Sequence, residues 1–308
     1  RAGNRPAFRG GAVHVRVPAT SANLGPGFDA LGLALARYDD VVGKIGEEGV
    51  LVDIAGEGAD VVPRDESHLL IRTMRTAFDV LGGQPRGIEL VCANRIPHSR
   101  GLGSSAAAIV AGILLARALV LGGDERLPDA DVLALASDLE GHPDNVAACL
   151  YGGLTIAWTD AGRAAALRLD CDPAITPVVF IPPDGSSTHE ARGLLPAEVP
   201  HADAAFNGAR AALLVAALTG RPDALLPATE DRLHQPYRAP AMPQSAQLVE
   251  VLRGKGIAAV VSGAGPTVLA LVRDSTEQAI ALDQTPPLWH GDALPVDRRG
   301  AHQVTTPR

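Results

Sequence analysis

The stretch Arg100 to Ala116, RGLGSSAAAIVAGILLA, sets a loop of glycines and serines directly against an apolar run. Glycine at 101 and 103 opens backbone conformations closed to other residues and lets another group approach the chain closely. Ser104, Ser105 and Ala106 begin the apolar run as the first turn of a helix. N–H groups without intrahelical partners then converge at the positive end of a helix dipole, and phosphate is the common occupant of such a place. No GK[ST] follows, so the loop is not a Walker A loop, and Ala106 stands where a dinucleotide fingerprint needs its third glycine. The same small residues also suit a helix start packed tightly on a sheet, so this segment alone leaves both readings open.

Periodicity supplies the frame around it. Alternating Val13, Val15 and Val17 predict a half-buried strand, and SANLGPGFDALG behind it is a loop of turn formers carrying Asn23 and Asp29. IELVCA (88–93) is expected as the second strand, followed by the glycine loop and a helix from about Ser104 to Val120 that Gly122-Gly123 stops. A helix at about 129–139 leads into EGHPDNV, GGLTIAW (152–158) is a strand, and Asp160 to Pro177 reads as polar and turn-rich. VVFI (178–181) starts a second unit, with helices near 204–219 and 244–253, a strand pair IAAVVSG and TVLALV, and a last strand within ALPVDRRGAHQV. Strands and helices mix without a regular βαβ repeat, which argues for an α+β protein of two domains, divided at 167/168 into 1–167 and 168–308.

Composition narrows the function classes. With 27 basic and 35 acidic residues the formal charge is −8, and no Lys/Arg run is long enough to track a nucleic acid. Cys92, Cys149 and Cys171 are odd in number, sit in apolar surroundings and lack metal-ligand spacing, so they are expected as reduced core thiols of a cytoplasmic protein. The apolar runs fall short of the roughly 20 residues that span a bilayer, so no membrane partner is expected. The chain opens on Arg1 rather than Met, which points to an N-terminus missing from the sequence.

Three further segments bear on the glycine loop. GAGPT (263–267), a second glycine cluster between apolar strands, is placed to close over the same phosphates. Glu140 ends a helix where Gly141 and Pro143 force a turn, and a hydroxyl, one carboxylate and phosphate oxygens form a ligand set that suits Mg²⁺. A solvated helix end is the plainer reading of Glu140. Arg192 and Arg238 each read singly as surface charges, but as a pair they offer the fork a carboxylate-bearing substrate wants.

Together these segments resemble the GHMP small-molecule kinases, and within that family the homoserine kinase branch. The pattern P-x-x-x-G-L-G-S-S-A-A runs from Pro97 through Arg100, Gly101, Leu102, Gly103, Ser104, Ser105 and Ala106 to Ala107, and the C-terminal motif is SGAGPTVLAL. VPATSANLGPGFDALGLAL, EGHPDNVAACLYGG, STHEAR and HQPYR are similar to segments that separate this branch from mevalonate and galactose kinases, and the likeness runs from about 12 to 304. The resemblance implies an N-terminal domain like ribosomal protein S5 domain 2, a ferredoxin-like C-terminal domain, and a homodimer.

It also implies phosphoryl transfer from Mg²⁺-ATP to the hydroxyl of L-homoserine, in threonine biosynthesis. ATP would lie on Pro97 and Arg100 to Ala106, closed by Gly263 and Gly265, with Ser105 and Glu140 on Mg²⁺ and Ser104 as an alternative ligand. Asn23, Asp29, His142, Thr188, Arg192 and Arg238 would surround homoserine: Asp29 for the ammonium, the arginines for the carboxylate, Asn23 or Asn145 for the hydroxyl. Asp144 and Asp29 are the candidates for a general base, or none is needed. A GHMP kinase for another alcohol and a nucleotide-binding homologue without catalysis are the alternatives.

Overall fold

A computed structural model describes residues 6–305; Arg1, the unusual first residue, lies outside the described residues. The first half of the chain runs β1 (Val13–Ala22), β2 (Leu31–Gly46), β3 (Gly49–Gly56), α1 (Leu69–Leu81), β4 (Gly87–Asn94), α2 (Ser104–Leu119), α3 (Gly123–Arg126), α4 (Asp129–Glu140), α5 (Asp144–Tyr151), β5 (Leu154–Asp160) and β6 (Arg163–Leu169). The second half runs β7 (Thr176–Ile181), α6 (Thr188–Gly193), α7 (His201–Thr219), α8 (Leu225–Ala228), α9 (Gln235–Arg238), α10 (Pro243–Gly254), β8 (Ala258–Val261), β9 (Val268–Val272), α11 (Ser275–Asp283), β10 (His290–Ala293) and β11 (His302–Gln303).

Two sheets result. The larger has the order β11-β1-β2-β4-β3, with β5 on another stretch of β2 and β6 outside it; the smaller is the antiparallel order β10-β7-β9-β8. Helix α2 is apolar almost all round because it is buried almost all round, against α1, α4, α5 and β1. Cys92, Cys149 and Cys171 are free and buried, as expected of core thiols. Among the described residues no helix is long and apolar enough to cross a membrane.

Several expectations need correction. The strand at 88–93 is the fourth, because β2 and β3 precede it. Tyr38-Asp39-Asp40 disguises the long β2, yet the Asp39 carboxylate accepts the backbone N–H groups of Arg95 and Ile96 at 2.6 and 2.9 Å, and Asp40 accepts from Arg16 at 2.9 Å. Polar groups so satisfied do not break a strand. The stretch at 160–177 holds β6, joined to β5 by the two-residue turn Ala161-Gly162, both at positive φ. An alanine there gives no hairpin signal of the usual Asn-Gly kind. The last expected strand shrinks to two residues, His302 and Gln303, which return to β1 in the larger sheet.

The end of β1 positions the site. The Thr20 N–H donates to Leu102 O at 3.0 Å, the Gly263 N–H donates to Ala22 O at 3.1 Å, and the Ser21 and Ser262 hydroxyls share a 2.7 Å hydrogen bond. One strand end is thereby threaded between both glycine clusters.

Candidate active site

The glycine loop is shaped by the protein around it. A Cβ at Gly101 would stand 2.3 Å from Ser262 O, and one at Gly103 would stand 2.0 Å from Thr20 Oγ1. Both glycines have positive φ, 78° and 73°. Helix α2 starts at Ser104, so its first-turn N–H groups face the mouth of the loop with only Gly103 as N-cap and no side chain capping them.

A cavity of about 370 Å³ opens there. It gathers Gly101, Leu102, Gly103, Ser104 and Ser105 from the loop, and Asn23 and Asp29 from the turn after β1. Glu140, His142, Asp144 and Asn145 join from the α4–α5 turn, Thr188 and Arg192 from α6, Arg238 from α9, and Gly263 from the second glycine cluster.

The α4–α5 turn is a chain of contacts. Ser105 Oγ donates to Glu140 Oε2 at 2.9 Å, His142 Nε2 stands 3.9 Å from Glu140 Oε1, and His142 Nδ1 bonds Asp144 Oδ1 at 2.5 Å. Burial pushes the Glu140 carboxyl above the usual glutamate range, with Ser105 and His142 only partly opposing it. Burial alone would lower His142, but the hydrogen bond and charge of Asp144 outweigh it and the imidazole is raised. Thr20 Oγ1 donates to Asn145 Oδ1 at 2.8 Å, fixing the amide so that its N–H groups are available to the cavity.

Opposite lie two guanidinia stacked over one ring. Phe28 sits under Arg192 and Arg238, 5.9 and 5.6 Å from centroid to Cζ, and stacks on His234 at 5.1 Å. Arg192 bonds both oxygens of Asp29, at 3.1 and 2.6 Å. Arg238 is only 2% exposed, and its hydrogen-bond partners are neutral: Ala191 O at 3.2 Å and His234 Nδ1 at 3.0 Å. Since Gly25 O, 2.9 Å from His234 Nε2, can only accept, the ring proton is on Nε2 and Nδ1 takes the Arg238 N–H. Burial, then the charge of Arg192, lowers the pKa of Arg238. Among the described residues no carboxylate reaches salt-bridge distance of it.

A second cavity of about 270 Å³ shares Ser99, Ser104 and Ser105 with the first. Val17, Val41, Val62, Leu70 and Ala107 give it apolar walls, and His68, Asn94 and His98 add polar groups.

The comparisons with known proteins agree with this geometry. Residues 68–153 match the GHMP kinases N terminal domain, and residues 211–285 match the GHMP kinases C terminal. A homoserine kinase of Streptomyces coelicolor is 64% identical over 297 residues, covering 96% of either chain. The chain belongs to the homoserine kinases of the GHMP kinase family. One of Clavibacter michiganensis is 50% identical over 295 residues, covering 94% of this chain and 93% of that one. The crystal structure of homoserine kinase from Cytophaga hutchinsonii superposes with a TM-score of 0.81 at 24% identity, over 97% of this chain and 98% of that one, which supports the fold.

Within this GHMP kinase, four residues of the expected nucleotide set do not line the main cavity: Pro97, Arg100, Ala106 and Gly265. Ala106 is buried in α2, and Gly265 backs Gly101 from the second glycine cluster. Asn23 lines the cavity but spends both ends of its amide on the fold, donating to Gly263 O at 3.0 Å and accepting the Asp29 N–H at 2.9 Å. Sequence reasoning missed His234, Phe28, Ser99 and the second cavity. His234 lay within the quoted HQPYR but carries no signal of its own, because its role depends on a carbonyl far away in the chain, that of Gly25.

Proposed function

We propose that this chain transfers the γ-phosphoryl group of ATP to the side-chain hydroxyl of L-homoserine, giving O-phospho-L-homoserine for threonine biosynthesis. The observation that carries the substrate class is Arg238. It is a buried guanidinium at the wall of the cavity with only neutral partners, and a buried cation in that state is a receptor for an anion. A substrate carboxylate supplies the missing charge. Asp29, held by Arg192 at the same wall, suits the substrate ammonium.

ATP is proposed to lie across both cavities, its base in the apolar one and its phosphates on the N–H groups at the start of α2. Ser105 and Glu140 would hold Mg²⁺. Their oxygens are already neighbours at 2.9 Å, and with His142 Nε2 no nearer than 3.9 Å to Glu140 the hydroxyl and the carboxylate form an oxygen pair of the kind Mg²⁺ takes together with phosphates. Bound there, the ion would neutralise charge on the phosphoryl oxygens. The Asn145 amide is placed to hold the acceptor hydroxyl.

No dedicated base is assigned. Asp144 already accepts from His142 and the Asn145 N–H, and Asp29 is held by Arg192. A loose phosphoryl-transfer transition state draws little charge onto the nucleophile early, so positioning suffices.

We assign the ATP-binding half to 1–167 and the C-terminal half to 168–308, whose last strand returns to the larger sheet, and propose a cytoplasmic homodimer. The substrate class is tested by calorimetry with L-homoserine and with 3-aminopropan-1-ol, which lacks only the carboxylate. The amino alcohol should bind at least about tenfold more weakly, and Arg238→Ala should erase that difference. Equal binding of the two by the unaltered enzyme would remove the carboxylate from the account.

A further inference from the structure

The side chain of Arg100 belongs to neither cavity, although its backbone opens the phosphate loop. It crosses instead to the six residues between β7 and α6. There its Nε donates to Pro182 O at 3.1 Å and a terminal nitrogen donates to Pro183 O, while the other terminal nitrogen is anchored on His98 O at 2.8 Å. The contact is continued by the Ser186 N–H, which donates to Ser99 O at 2.9 Å. Gly185 is packed so closely that a Cβ there would stand 2.4 Å from an Arg100 nitrogen and 2.6 Å from Ser99 O. The strap so held leads straight into Thr188 and Arg192 at the cavity wall. The backbone of Arg100 is tied as well, its carbonyl accepting the Thr267 N–H at 3.2 Å.

We propose that Arg100 is a positioning residue that couples the two substrates, so that seating phosphates on its loop holds the 182–187 strap and thereby α6 in place for the amino acid. This rests on the reading of the cavity given above. Among the described residues the guanidinium bonds only neutral carbonyls, and its planar fork reaches three of them from two segments at once. Ordering a loop consumes conformational entropy. Whichever ligand orders the strap first lessens what the second must order, which is positive coupling without a new contact between the ligands.

The test is titration calorimetry on the full chain with L-homoserine and a non-hydrolysable ATP analogue plus Mg²⁺, each measured alone and with the other saturating. In the unaltered protein each ligand should tighten the other by the same factor, about fivefold or more. Arg100→Ala should bring that factor to within about twofold of one, while the analogue alone binds within about threefold of normal. Arg100→Lys, with a charge but no fork, should restore only part of the coupling. Gly185→Ala wedges the strap off the same guanidinium and off Ser99 O while keeping the Arg100 side chain, and should reproduce the loss even if Arg100→Ala folds poorly.

Coupling retained in both Arg100→Ala and Gly185→Ala, or a factor of one in the unaltered protein with both ligands binding, overturns the role of Arg100. Homoserine failing to bind in any state overturns the substrate reading together with it.

Discussion

Arg192 on α6 grips both carboxylate oxygens of Asp29, 163 positions earlier in the chain, at 3.1 and 2.6 Å. These are the residues expected to divide an amino acid between them, one for its carboxylate and one for its ammonium. In the free enzyme they neutralise each other, and a zwitterion carries both charges needed to replace that pair in kind.

The pair is 36% and 38% exposed at its side chains, so as a surface ion pair its loss changes stability by less than about 1 kcal/mol. Toward substrate the same residue matters more, since a hydrogen bond to a charged group contributes about 1.5–3 kcal/mol. Asp29→Asn should therefore raise the KM for homoserine by about 10- to 150-fold with the KM for ATP and the melting temperature little changed. Steady-state kinetics in both substrates, with thermal melting alongside, checks this. A melting temperature that collapses while both KM values hold would make the pair purely structural.

Glu140→Gln keeps the hydrogen-bond geometry to Ser105 and removes the charge. Turnover should fall at least tenfold, equivalent to about 1.4 kcal/mol, and the Mg²⁺ concentration for half-maximal rate should rise. Thermal melting in Mg²⁺ with the ATP analogue gives a readout apart from turnover: the ion should raise the melting temperature of the unaltered protein more than that of the variant. Identical magnesium dependence in the two proteins would take Glu140 out of the metal site.

The chemistry was more legible in the sequence than the frame that carries it. Local signals placed α2, α4, α7, α10 and the strand pair β8–β9, because each has its periodicity and its stop signals close at hand. Of the missed strands, β2 carries polar residues satisfied by distant partners, as Asp39 is by Arg95 and Ile96, and β6 follows a turn whose alanine gives no hairpin signal. The cavity followed the same rule. Motif residues such as Ser105 and Glu140 announced themselves, whereas His234 and the outward reach of Arg100 depend on carbonyls that no local pattern reveals.

Gly103 tests why the loop needs glycine. A Cβ there meets Thr20 Oγ1 at 2.0 Å and the residue has a φ of 73°, so Gly103→Ala combines a clash with left-handed strain of about 1–2 kcal/mol. Thr20→Ala removes the clashing atom and leaves the strain. In a double-mutant cycle on stability and on analogue binding, Thr20→Ala should recover part of what Gly103→Ala loses. Strict additivity would mean that the clash is relieved elsewhere and strain alone decides.

Asp40 gives a stability prediction away from the site. Burial alone would raise its pKa, but hydrogen bonds from Arg16, His14 and Arg95 prevail and bring it down to about 2. The unfolded carboxyl titrates near 3.9, so between the two values the folded chain binds fewer protons and its stability rises with pH. The contribution is full above the unfolded pKa and is lost as pH falls through the folded one. Asp40→Asn should thus destabilise by about 1 kcal/mol at neutral pH, after allowance for solvent screening, and the gap should close toward pH 2. Denaturant titrations of both proteins across that range decide it, and a gap independent of pH would reject the ionic origin.

Phosphoryl transfer to the hydroxyl of an amino acid is read out by ADP release with L-homoserine, mevalonate and galactose offered separately. Sustained ADP release with homoserine alone, accompanied by a ³¹P resonance of a phosphate monoester on its side-chain oxygen, is the predicted result. Comparable turnover of mevalonate or galactose, or ATP binding with no turnover of homoserine, would contradict the account.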